Sequence, residues 1–457
     1  MIRLPHPEKG FFRALLTLAA PMMLQNLITF AVGFADNIMV GSLGEAAISG
    51  VYLGNQPQNL LNSIVMGIDS AMLIIAAQYW GKKDTDSIKH LGAIAAKFAL
   101  LLGLVFSVAA ATAPYGVLGL FTKDSGVMDA GVDYLKIVCW SYLFFAASQL
   151  LTTIMKSVEH VKVGMYAAFI SLSVNVVLNY VFIFGKLGMP AMGVAGAALA
   201  TLISRIIEFS VAAYFVFFKD KRLALRPADL LPMDKELLKD FAKYGAPVVA
   251  GQIVWGLNNI VQSSIIGSMG AVATTSVSIC GTMHQMCAVT VSALSGAVGI
   301  TTGKLVGAGK VERVKNHAKV VQLMFLCLGF VFCAVILSVR SVLISFYNIS
   351  PETQELARKF LTVLSITYIG TCYQGMSLGS LVKAGGDTRF VFINDTIFVW
   401  GVVIPLSLLM RWVVGAPAWV VYACLKADEV LKCAVAYFKI NSFNWIKNLT
   451  RSTAEEA

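Results

Sequence analysis

Residues 11–44, FFRALLTLAAPMMLQNLITFAVGFADNIMVGSLG, decide the fold. After Arg13 the chain runs apolar, broken only by Thr17, Gln25, Asn26 and Thr29, until it meets Asp36. A segment of about 20 apolar residues crosses a bilayer as a helix. Lipid offers backbone amides no partner, so a helix is the expected form. The carboxylate then needs a reason, because an Asp at mid-membrane costs about 2.5–3.5 kcal/mol on insertion scales.

Similar apolar segments recur along all 457 residues, of which 57% are hydrophobic and 13% charged. Soluble domains carry about 25% charged residues. Mean hydropathy is +0.75. The expected class is an all-α polytopic membrane protein. Its first apolar run exceeds signal-peptide length and lacks a small-residue cleavage pattern, so no cleaved leader is expected. The eight cysteines, among them Cys139, Cys327 and Cys424, lack metal-ligand spacing and read as small buried hydrophobes.

Twelve spans are expected, near 12–40, 48–80, 91–113, 132–156, 163–185, 191–218, 243–269, 275–304, 317–340, 358–382, 390–411 and 416–438. Lys and Arg concentrate in the N-terminus, in GKKDTDSIKH (81–90), KDKRLALR (219–226) and GKVERVKNHAK (309–319), and in the C-terminal tail. The positive-inside rule places that side, with both termini, in the cytoplasm. The net charge of +11 follows from the same bias, which argues against nucleic acid as a partner.

The halves repeat. Moving from Pro21 to Pro247, an offset of 226, also lays GSLG (41–44) on GSMG (267–270) and Tyr142 on Tyr368. Six spans per half give both halves the same orientation, so two six-helix lobes should be related by a pseudo-twofold axis along the membrane normal. The expected domains are an N-lobe (1–218), a charged linker (219–242), a C-lobe (243–440) and a cytoplasmic tail (441–457).

Polar residues inside the spans fall on shared helix faces. Gln25, Thr29 and Asp36 lie within about 40° of one another in the first span. Asn55, Gln58, Asn59, Asn62 and Asp69 form a stripe in the second, with Pro57 as an expected kink. Span five carries Ser171, Asn175 and Asn179, and span six Thr201, Ser204, Arg205 and Glu208. Spans seven and eight add Gln252, Asn259, Ser263, His284 and Gln285. Single Ser, Thr and Asn residues more often join helices than bind a ligand. Arg205 and Glu208 read as a structural pair, and His284 as a neutral hydrogen-bonding residue.

Asp36 is the exception. It and Asn179 each sit roughly 8–9 Å in from the outer end of their spans, at 1.5 Å per residue, so they can converge. A carboxylate beside amide oxygens binds a proton or coordinates Na⁺. The repeat puts Gln262 opposite Asp36, which makes such a site asymmetric.

Pro21 followed by ADNIMVGSLG, NVVLNYVFIFGKLGMPAMGVAGAALAT (175–201) and KAGGDTR (383–389) resemble the multidrug and toxic compound extrusion family, over nearly the whole chain. That resemblance implies a secondary transporter of the bacterial cytoplasmic membrane. It would export amphiphilic, often cationic organic compounds against H⁺ or Na⁺, with no other cofactor and no protein partner. Asp36, Asn175, Asn179 and Thr201 match the family's N-lobe cation site, and the first three would hold Na⁺ in a sodium-coupled member. The carboxylates of NorM-like helices seven and ten are replaced here by Trp255 and Cys372, and the DinF-like tyrosine by Val32. The candidate substrate cleft comprises Gln25, Thr29, Phe34, Asn55, Asn59, Asp69, Gln252, Trp255, Asn259, Met283 and His284. A related flippase of lipid-linked oligosaccharides is the alternative. It would want a cationic cleft, where only Arg205 and Lys97 are expected at depth. The short loops hold no cluster suited to an enzyme.

Overall fold

The computed structural model describes residues 10–119, 124–347 and 349–451. The basic residues within 1–9 and the end of the tail, 452–457, lie outside the described residues. Helices dominate, and there is no strand among the described residues.

Among the described residues, eight helices are long and apolar enough to cross a membrane, or nine if one bent pair counts as a single span. In chain order, α1 is Phe11–Gly41, α2 Ala47–Lys82 and α3 Thr85–Thr112. The pair Ser125–Val138 and Ser141–Ser157, bent by 52°, forms α4. Then come α5 (Lys162–Phe184) and α6 (Gly193–Lys219). Three further long segments complete the expected twelve: α7 (Lys235–Gly267), α10 (Pro351–Gly370, continuing to 382) and α12 (Ala418–Leu425 with Ala427–Ser442). Between these lie α8 (Ala271–Gly307), α9 (Val311–Ser345) and α11 (Thr388–Val413). The three extra segments are less apolar for a visible reason. Lys235, Glu236, Lys239, Asp240 and Lys243 open α7; Glu352, Glu355, Arg358 and Lys359 open α10; Lys426, Asp428, Glu429 and Lys432 lie within α12. Along α2 the break falls at Asn55, just before Pro57.

The chain forms two compact units. One, the N-unit, holds Ala20–Ala76 and Asp84–Gly245. The other, the C-unit, holds the described residues to Ala19, Ala77–Lys83, and the chain from Ala246 onward. Two of the cuts fall beside Pro21 and Pro247, which are equivalent in the repeat. The linker groups with the N-unit, where Lys97 Nζ donates to the carbonyls of Leu231 (2.8 Å) and Pro232 (3.0 Å).

Each unit has its own core. In the N-unit Leu61, Val65, Leu135, Val138, Tyr142 and Ala146 are fully buried together. In the C-unit Ile336, Phe360, Leu361, Tyr368, Cys372 and Val421 do the same. The repeat is visible in these cores, since Tyr142 and Tyr368 are both wholly buried. It is visible in the turns too: Gly44 (φ +106°) and Gly270 (φ +96°) precede α2 and α8 in a backbone region that L residues avoid.

The tail forms part of the C-unit fold. Trp445 is fully buried, and a Cβ at Gly385 would stand 2.1 Å from its ring. The Lys447 amide donates to Gly385 O (2.7 Å) and the Leu449 amide to Gln78 Oε1 (2.7 Å). Gln78 Nε2 in turn donates to Ala384 O (3.0 Å). Residues 443–451 therefore strap the 384–387 turn to the end of α2.

Candidate functional site

The N-unit gathers a polar cluster from α1, α2, α4, α5 and α6. Asn175 and Asn179 are one helical turn apart on α5 and are 2% and 1% exposed. Asn179 Nδ2 lies 2.5 Å from Asp36 Oδ1 on α1 and 3.2 Å from Asn175 Oδ1. Asn179 Oδ1 is buried and has no hydrogen-bond partner. A buried acceptor in that state calls for an explanation. Thr201 on α6 donates to Ala197 O in its own helix (3.0 Å). One turn further on, Arg205 pairs with Glu208 (2.6 Å) while its guanidinium stands 5.2 Å from the Phe145 ring. Asp36 lies within the electrostatic reach of Arg205.

Sequence reasoning missed Tyr134. Its hydroxyl donates to Asn55 Oδ1 (3.0 Å), also faces Thr201, and senses the charges of Asp36 and Arg205. Val32 cannot supply a tyrosine here, but α4 brings one from another helix. The signal is weak, because a lone tyrosine in a span reads as packing until its neighbours on other helices are known. Tyr134→Phe should lower stability by about 1 kcal/mol, the usual net worth of one such hydrogen bond. A thermal-melt shift in detergent reads this.

The candidate cleft residues divide between the two units and differ in exposure. Gln25 is buried (8% exposed), packed against Gly164, with Oε1 lacking a partner. Thr29 donates to Gln25 O (3.0 Å). Phe34 is 61% exposed and stacks on Phe30. Asn59 and Asn259 are exposed and Gln252 half-buried. Trp255 is 58% exposed.

Two members are turned inward. Met283 is 4% exposed and belongs to the C-unit core, on the face of α8 that it shares with Ile279, Cys280 and Cys287. Asp69 faces Thr153 and senses the charge of Lys156 on α4, and its Oδ1 is buried without a hydrogen-bond partner.

His284 is exposed at its side chain. Its ring meets Tyr368 edge-on (5.7 Å between centroids), and Tyr368 donates to His284 O (3.4 Å).

Lys97 is bonded to the linker carbonyls, so of the two expected cations Arg205 alone joins the cluster. Lys432 is buried between Asp395 and Asp428, while Lys156 and Lys383 are partly buried and sense the charges of Asp69 and Asp395. No group of three His, Cys, Asp or Glu residues placed to hold a metal occurs among the described residues.

A chain of this kind, with twelve helical segments in two repeated halves and buried polar clusters at membrane depth, is a multi-pass membrane transporter. The MatE family model matches it twice, over residues 21–181 and 247–409. These segments begin 226 residues apart, the offset of the internal repeat. The chain belongs to the MatE family, the multidrug and toxic compound extrusion transporters. It is 24% identical over 408 residues to the probable multidrug resistance protein YoeA of Bacillus subtilis (strain 168), covering 88% of each chain. It is 25% identical over 436 residues to the uncharacterized transporter YisQ of the same organism, covering 95% of each. Among solved structures it resembles the Vibrio cholerae MATE transporter VcmN (TM-score 0.85, 15% identity, 96% of this chain and 98% of that one). It also resembles an outward-facing multidrug resistance MATE family transporter (TM-score 0.84, 17% identity, 94% and 96%). At these identities the structural likeness concerns the fold.

Proposed function

We propose that the protein is a cation-coupled antiporter that exports amphiphilic, often cationic organic compounds from the bacterial cytoplasm. It would sit in the cytoplasmic membrane with both termini inside. The observation that carries this reading is the Asp36–Asn179 contact, with the buried, unpartnered Asn179 Oδ1 beside it. An ionised Asp36 accepts from the Asn179 amide. When a proton arrives, Asp36 becomes a donor, and a turned Asn179 amide offers Oδ1 as its acceptor. With Na⁺ instead, the Asp36 carboxylate and the Asn175 and Asn179 oxygens supply hard ligands. The family relationship and the likeness to YoeA support export of organic compounds.

Coupling follows if the bound cation and the bound compound prefer different states of the two lobes, since equal preference shifts nothing. No other cofactor enters this reading, and the lipid bilayer is the other partner. The exposed Phe34 and Trp255 suit an organic cation, which aromatic faces attract. The test is export of a fluorescent organic cation from proteoliposomes, with pH and Na⁺ gradients imposed separately. One gradient should drive accumulation, which would identify the ion. Failure of both gradients would overturn the reading.

A further inference from the structure

The C-unit has a partly buried carboxylate that the N-unit site does not account for. Glu429 stands on α12, and its Oε2 accepts from Gln374 Nε2 of α10 at 2.7 Å. The repeat offset of 226 places Glu429 opposite Ile203, between Thr201 and Arg205 of the N-lobe sequence. Glu429 stands near enough to Cys372 of α10 for the thiol to sense its charge.

Three features separate Glu429 from an ordinary structural ion pair. The nearby lysine is engaged elsewhere: Lys432 Nζ lies 3.0 Å from Asp395 and 3.0 Å from Asp428. Glu429 has no Lys or Arg nitrogen within 4 Å among the described residues. Gln374 lies in a widened helical turn, Thr371–Gly375, of the i→i+5 type that recurs at functional sites. Finally, α10 and α12 meet with no room to spare, since a Cβ at Gly370 would stand 2.1 Å from Glu429 O. The carboxylate is thus fixed against α10 while its charge lacks a direct counter-ion.

The groups around it are known from every packed element. On α12 they are Lys426, Asp428, Lys432 and Cys433. On α10 they are Gln374, Cys372 and Tyr368, with Lys383 further along, facing Asp395 of α11. On α8, Cys287 lies beside Cys372 and Tyr368, and His284 beside Tyr368. A metal cation would meet the Gln374 N–H and two lysine charges, so the fitting ligand is a proton.

We propose that Glu429 is a second proton site, one in each lobe, which gains a proton as carboxylic acid and loses it as carboxylate during the transport cycle. This rests on the proton-coupled form of the reading above. The test is infrared difference spectroscopy of purified protein across pH, read in the carbonyl-stretch region of protonated carboxylic acids, together with a count of protons released on a pH jump.

Glu429→Gln preserves shape and a hydrogen-bonding partner for Gln374. It should remove one titrating band and halve the protons counted from the two sites, and Asp36→Asn should remove the other band. Glu429→Asp should restore a titrating band if the loss is not a folding defect. A Glu429→Gln spectrum identical to wild type would overturn the proposal. In that case, loss of driven export in Asp36→Asn would still leave the transport reading intact. Conversely, a titrating Glu429 band in a protein that no gradient drives would sink the antiport reading alone.

Discussion

Asp36→Asn should reduce gradient-driven export of an organic cation to the leak of protein-free liposomes. A gradient of one pH unit is worth about 1.4 kcal/mol per proton, or about tenfold accumulation per exchanged proton. That factor should disappear in the variant. The substitution is isosteric and leaves an oxygen facing Asn179 Nδ2, so the helix contact survives and the protein should purify as wild type does. What is lost is a group that can be charged in one state and neutral in another. Asn179→Leu should weaken coupling less, because the carboxylate remains and loses only its amide neighbour. The readout is the steady-state ratio of substrate across the membrane under an imposed gradient. Tenfold accumulation by Asp36→Asn would make Asp36 a structural residue and move the coupling site elsewhere, Glu429 being the next carboxylate to test.

Much of this architecture is legible in the sequence because membranes impose a coarse rule. A helix must hide its backbone, so apolar length marks each span, and an Asp in such a span stands out. That Asp36 and Asn179 can meet is legible from depth along single helices, and the Asn175–Asn179 stripe from spacing. Tyr134 is not, because its partner Asn55 lies on another helix and the pairing depends on how α2 and α4 pack. Met283 shows the same limit: composition says apolar, and only packing says whether that face is core or surface. The run KADEVLK (426–432) was visible within the last span. Its lysine–carboxylate pairing, and the Glu429 it leaves without an ion pair, depend on Asp395 and Gln374 arriving from α11 and α10. The tail label for 441–457 rested on polarity alone, which does not foresee that Trp445 closes over Gly385.

That closure carries the second large prediction. Trp445→Ala should release residues 443–451 from the C-unit, at a cost of about 3–5 kcal/mol for a buried aromatic side chain. The Trp445 indole N–H donates to Ile440 O (2.9 Å), so the substitution also removes one of the two hydrogen bonds to that carbonyl, the other coming from the Phe443 amide (3.3 Å). Trypsin offers a direct reading, since Lys447 and Arg451 are cleavage sites inside the strap. If cleavage follows the population of the open form, 3 kcal/mol means a rise of about 100-fold in rate, at 1.4 kcal/mol per decade.

Asp387 clamps the same segment, with Lys447 Nζ at 2.8 Å from Oδ1 and Lys439 Nζ at 2.8 Å from Oδ2. Partial burial pushes this carboxyl up, but the two lysines outweigh burial and hold it below the usual carboxylate range. A depressed carboxyl stabilises the closed strap fully above the ordinary carboxyl range, and the contribution fades as pH falls through the lowered value. Hydrogen exchange of the 443–451 amides, corrected for intrinsic rates, should therefore speed up in acid in the wild type. In Asp387→Asn it should already be faster at neutral pH and lose that acid dependence, with a smaller effect than Trp445→Ala because Lys447 is half exposed. Equal trypsin resistance in wild type and Trp445→Ala would mean that the hydrogen bonds to Gln78 and Gly385 hold the strap without the indole.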